Sequence, residues 1–109
     1  MKDRERLAQL TMLSQLVLDT RLMALRVASL ARQQSLDHLT DLDRPQPETD
    51  LSPVVAGEVA MRYQLWADQR RSDINLTLAR QTVTWTEARQ DAARAFGRDQ
   101  ALNQLTGRK

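Results

Sequence analysis

All three prolines of the chain fall between Pro45 and Pro53. Each fixes φ, removes a backbone donor and drives the preceding residue out of the α region, so the stretch Arg44-Pro-Gln-Pro-Glu-Thr-Asp-Leu-Ser-Pro53 has no place inside a regular helix. The segments on either side are long, proline-free and rich in Ala, Leu, Arg and Gln. One helix must stop here and another start, which makes the chain a hairpin. Asp37, Asp41 and Asp43 crowd the end of the first segment, where negative charge opposes the helix macrodipole. Ser52 as N-cap with Pro53 at the first helical position, or Asp50 as the cap, opens the second. The expected boundaries are helix 1 at about 3–42, a hinge at about 43–52 and helix 2 at about 53–106, in a single domain over 1–109.

Composition agrees with long packed helices. Aromatics make up only 4% of the 109 residues, too few for a mixed globular core, whereas 41% hydrophobic with 28% charged is ordinary for a folded chain. There is no cysteine, so disulfides, thiolate metal sites and thiol nucleophiles are excluded, and a reducing, cytoplasmic setting is expected. The net charge of +2 arises from interleaved charges: residues 1–43 balance, and residues 54–109 hold nine basic against six acidic side chains. Leu7 to Leu18 is interrupted by Gln9, Thr11, Ser14 and Gln15 and reads as mature helix rather than a signal-peptide core. No run approaches the ~18 apolar residues of a membrane span.

Helix 1 carries two apolar stripes at spacings of three and four. One is Leu10, Leu13, Val17, Ala24, Val27/Ala28, Ala31, Ser35, His38 and Leu42; the other is Leu18, Leu22, Leu25, Ser29, Leu36 and Leu39. Leu16, Met23 and Leu30 add a third row, so one partner helix cannot cover everything apolar. Helix 2 has one clear coiled-coil seam, Ala60, Ala67, Ile74, Leu78, Gln81, Trp85, Ala88, Ala92, Ala95 and Leu102, weakened by Arg71, Gln81 and Asp99 and expected to run unbroken through Gly97. Folding about the hinge centre sets Leu10 opposite Trp85 and Val17 opposite Leu78, with the turns beyond about Ala93 projecting past helix 1. On that register the first stripe of helix 1 faces helix 2. Leu18, Leu22, Leu25, Leu36 and Leu39 stay free, and a two-fold homodimer making a four-helix arrangement is the expected consequence.

Signals of chemistry are sparse. His38 is the only histidine and has no Cys or second His near it, so neither a metal site nor proton transfer is expected. There is no nucleophile–base set and no glycine-rich phosphate loop, which argues against an enzyme and against a bound cofactor. Arg62, Arg70, Arg71, Arg80, Arg89, Arg94 and Arg98 offer phosphate contacts, but Asp68, Asp73, Glu87 and Asp91 interleave with them, so a solvated face is favoured over nucleic-acid binding. Trp66 and Trp85 read as packing or interface anchors.

The run Tyr63-x-x-Trp66, Ile74, Leu78-Ala79, Gln81, Trp85, Ala88, Ala92, Phe96 and Ala101-Leu102-x-x-Leu105 resembles the C-terminal half of the type III export stalk proteins of flagella and injectisomes, the FliJ and YscO families. The resemblance implies an antiparallel two-helix coiled coil that inserts in a hexameric export ATPase and contacts the export gate and chaperones, with Phe96 and Leu102 as candidate ring or gate contacts. A self-associating helical module without such a partner is the alternative reading, and a basic nucleic-acid-binding hairpin a weaker one.

Overall fold

Two helices account for nearly all of the computed structural model, which describes residues 2–45 and 50–107: α1 is Lys2–Leu42 and α2 is Pro53–Leu105. Asp3 and Glu5 place negative charge in the first turn of α1. Ser52 caps α2, its Oγ accepting from the Val55 amide at 3.4 Å, with Pro53 in the first turn. The helix runs straight through Gly97 and stops at Thr106, beyond which Gly107 takes φ +75°, a left-handed turn that a residue with a Cβ rarely adopts. Both helices begin and end within a residue of the positions expected for them. Much of the expected hinge, residues 46–49, and the basic ending Arg108-Lys109 lie outside the described residues.

The molecule is a rod of 85 × 22 × 14 Å with a radius of gyration of 24.3 Å, against about 13 Å for a compact chain of this length. The helices are antiparallel and touch along one seam. Its α1 side is Leu7, Thr11, Ser14, Leu18, Leu25, Ala28, Arg32, Ser35, Leu39 and Leu42, all buried or half-buried at intervals of three and four except for one step of seven over the exposed Arg21. Its α2 side runs Ala67, Arg71, Ile74, Leu78, Gln81, Trp85, Ala88, Ala92, Ala95, Asp99 and Leu102. The seam is thin, since four of its six buried hydrophobic residues are alanines.

Polar layers set the register. Ser14 donates to Asp99 at 2.9 Å, the Trp85 indole N–H donates to Ser29 Oγ at 3.0 Å, Arg32 Nε donates to Thr82 Oγ1 at 3.2 Å, and Ser35 Oγ donates to Gln81 Oε1. At the end of α1, Arg71 reaches across to the Leu42 carbonyl and to Asp43, covering a carbonyl that α1 leaves without an intrahelical partner. The residues that weaken the α2 seam by hydrophobicity, Arg71, Gln81 and Asp99, are thus the ones with cross-helix partners. A polar residue at a seam position fixes alignment because any slip leaves it buried and unpaired.

This register corrects two expectations. Partners across the seam have numbers summing to 112–116, so Trp85 meets Ser29 rather than Leu10, and Val17 lies far from Leu78. The slide reverses the overhang: the last turns of α2 are paired, with Ala95 and Asp99 buried, and it is Pro53–Trp66, roughly 21 Å of helix, that lies beyond the seam. The second correction concerns which stripe of α1 is covered. Leu18, expected to be free, is only 8% exposed, whereas Leu10 and Leu13, expected in the seam, are about half exposed.

Candidate protein-interaction site

The stripe left outside the seam begins at Leu10 and continues through Leu13, Val17, Thr20, Ala24, Val27 and Ala31. It keeps the same alternation of threes and fours as the seam but is displaced from it by one residue, which on an α-helix is about 100° around the axis. Beside it run Leu16, Met23 and Leu30. Between Leu10 and Leu30, α1 leaves Leu10, Met12, Leu13, Leu16, Leu22, Met23, Val27 and Leu30 exposed, Leu16 and Val27 to 61% each. The matching length of α2 turns Arg80, Glu87, Gln90, Arg94 and Gln100 outward. Within this length α1 therefore exposes more large apolar side chains than α2, where Val83 and Phe96 stand singly; Val54, Val55, Val59, Met61, Leu65 and Trp66 are exposed on the overhang.

Two recesses adjoin this face. An apolar groove of about 360 Å³ lies between the helices, walled by Leu10, Leu13 and Val17 on α1 and by Ala95, Ala101 and Leu102 on α2, with Arg98 at its edge. A larger open recess of about 870 Å³ forms where α2 ends before α1 does, over Leu7, Thr11, Leu16 and Leu105. Neither assembles a catalytic set. No group of His, Asp and Glu suited to a metal is found among the described residues.

The sequence-derived site residues divide. Leu18 is part of the hairpin core, and Leu25, Leu36 and Leu39 are half-buried along the same seam, while Leu22 remains accessible. The free face is built on the stripe that had been expected to pair with helix 2. Trp85 is an anchor of the hairpin itself: its ring lies between the Arg32 and Arg89 guanidinium groups, at 4.7 and 4.8 Å from its centroid, with its N–H on Ser29. Trp66 is 56% exposed on the overhang, its ring 5.7 Å from that of Tyr63. Phe96 is exposed on the flank of α2, and Leu102 is half-buried at the floor of the groove.

Four arginines are ion-paired, whereas Arg62, Arg70, Arg80, Arg89 and Arg98 make no ion pair among the described residues. Arg71 pairs with Asp68 and Asp43, Arg94 and Arg21 with Asp91, and Arg44 with Asp41, and His38 stands exposed on α1. The surface is of mixed sign, with Asp68, Asp73, Glu87 and Asp91 set among these arginines. No helix is long and apolar enough to cross a membrane among the described residues. No protein-family model, curated protein or solved structure matches the chain.

Proposed function

We propose that this chain is a non-enzymatic helical-hairpin interaction protein that works by presenting the outer face of α1 to another protein. The observation that carries the reading is the set of seven large apolar side chains, Leu10, Met12, Leu13, Leu16, Met23, Val27 and Leu30, left exposed on the outer side of α1. Contiguous apolar surface beyond a few hundred Å² is uncommon on soluble monomers and marks binding sites. A site with no nucleophile, metal set or phosphate cradle, on a rod 14 Å thick, binds surfaces rather than transforming small molecules.

The more specific form of this proposal is a stalk or escort of a type III export apparatus, acting in the cytoplasm on the export ATPase or gate. Support comes from the antiparallel two-helix rod, which has the shape that the resemblance of α2 implies. The test is affinity purification of the tagged chain from its native cells, with Leu16→Glu/Met23→Glu as control. An export ATPase or gate subunit retained by the unaltered chain and lost from the variant supports the stalk; another protein lost in the same way leaves only the general reading, and a retained set unaffected by the variant overturns both.

A further inference from the structure

We infer that the outer face of α1 is occupied by a second copy of the same chain, packed antiparallel through α1 to give a four-helix bundle. The inference rests on the reading of that face as an interaction site and names its occupant. The geometry comes first. A helix inside a four-helix bundle has two neighbours at roughly a right angle, and α1 carries two heptad stripes about 100° apart, one of them already filled by α2.

Self-complementarity comes second. A two-fold axis requires the stripe to pack on its own reverse. With the axis passing beside Leu18 and Asp19, Leu10 lies on Val27 of the second copy, Leu13 on Ala24 and Val17 on Thr20, and each pair is met twice. Large side chains face smaller ones and no charged residue enters these layers. On the flank away from α2, Leu16 meets Met23 of the second copy, and Lys2 meets Asp37, a pair of opposite charge. Sliding by one heptad stacks Asp3 on Asp41 and Arg6 on His38 in one direction, and in the other sets Asp3 on Val27 and Arg6 on Ala24 within the apolar layers, so the first alignment is selected.

Area comes third. The accessible surface is 8916 Å², whereas a compact monomer of 12.5 kDa exposes about 6,200 Å². The apolar stretch from Leu10 to Ala31 is about 32 Å long, and over one helix about 10 Å across it offers roughly 320 Å² of projected face, the flank of α2 adding the rest of the 22 Å width toward the ~800 Å² per partner of a standard stable interface. The flank of α2 turned toward the second copy carries Asp91, Arg94 and Arg98, a wet rim of mixed sign.

The test uses the full chain in light scattering between ~5 and ~200 μM, together with cysteine pairing, which the absence of native cysteine makes clean. The expected mass is twice 12.5 kDa, falling to one copy at ~50 μM for Leu13→Glu/Val27→Glu with an unchanged far-UV spectrum. Mixing Leu10→Cys chains with Val27→Cys chains under mild oxidation should give a cross-linked heterodimer, at least tenfold above either variant alone. A monomer at ~200 μM overturns the inference and leaves the interaction reading standing for a foreign partner. A dimer indifferent to the glutamates overturns it too, as does cross-linking of Val17→Cys with Val27→Cys in place of the first pair.

Discussion

Trp85→Ala is the substitution that most directly tests the hairpin register. The side chain is half-buried, so truncation loses about half of the ~3–5 kcal/mol that a fully buried tryptophan costs, or ~2 kcal/mol. Loss of the indole bond to Ser29 adds ~1 kcal/mol, and loss of the two guanidinium contacts from Arg32 and Arg89, both at the surface edge of the seam, adds ~0.5–1 kcal/mol. The expected destabilisation is ~3–4 kcal/mol, which for a chain of this size lowers Tm by about 12–20 °C. The assay is urea and thermal unfolding followed by far-UV circular dichroism at one fixed protein concentration, since any association makes Tm concentration-dependent. A double-mutant cycle identifies the neighbour. Trp85→Ala with Ser29→Ala should show a coupling of ~1 kcal/mol, and Trp85→Ala with Leu10→Ala none beyond ~0.3 kcal/mol. Coupling to Leu10 instead of Ser29 would refute the register, and a total loss below ~1 kcal/mol would place Trp85 in solvent.

Leu18→Ala should cost ~2–4 kcal/mol, because the side chain is buried in the seam, whereas Leu76→Ala on the outer surface of α2 should stay within ~0.5 kcal/mol; equal effects in urea unfolding would mean that the seam is misassigned. Arg71→Ala removes the donor on the Leu42 carbonyl and the Asp43 ion pair and should cost ~1 kcal/mol, seen as faster amide exchange in the last two turns of α1 with the middle of the helix unchanged. Ser52→Ala should lose only ~0.5 kcal/mol, since the capping bond is long at 3.4 Å. Spin labels at 14 and 99 should report near contact, and labels at 17 and 78 roughly 30 Å, a separation that follows from the number of helical turns between their levels along the rod.

Helix existence, helix ends, the N-cap at Ser52 and the seam of α2 from Ala67 to Leu102 were legible in the sequence because each rests on a local rule: proline geometry, capping chemistry, and a single stripe with no rival on the same helix. Register was not legible from the hinge. Centring the hairpin on the proline segment treats the connection as a tight bend, yet Leu42 ends level with Arg71, eighteen residues into α2. Connections ten residues long do not fix register as a two-residue turn does.

The free face was misread for a different reason. α1 carries two stripes of similar apolarity one residue apart, and hydrophobic patterning has no means of choosing between them. The choice is made by polar residues. Ser14 and Ser35 stand on the stripe that α2 covers and Ser29 at its edge, and Asp99, Gln81 and Trp85 each need a partner at matching heights. Aligning those three pairs gives the observed register and leaves Leu10, Leu13, Val17 and Val27 outside, with Thr20 as the one polar residue of the stripe between Leu10 and Ala31. A buried polar layer rejects every alignment but one, at some cost in stability, whereas an apolar layer tolerates many. Specificity within the hairpin therefore resides in its polar layers, and the apolar stripe is the surface to which the proposed second contact is assigned. Placing most of the polar layers inside and a stripe with the single polar residue Thr20 outside is the reverse of what stability of an isolated rod would favour, and it is the physical ground for the proposal that α1 takes a second neighbour.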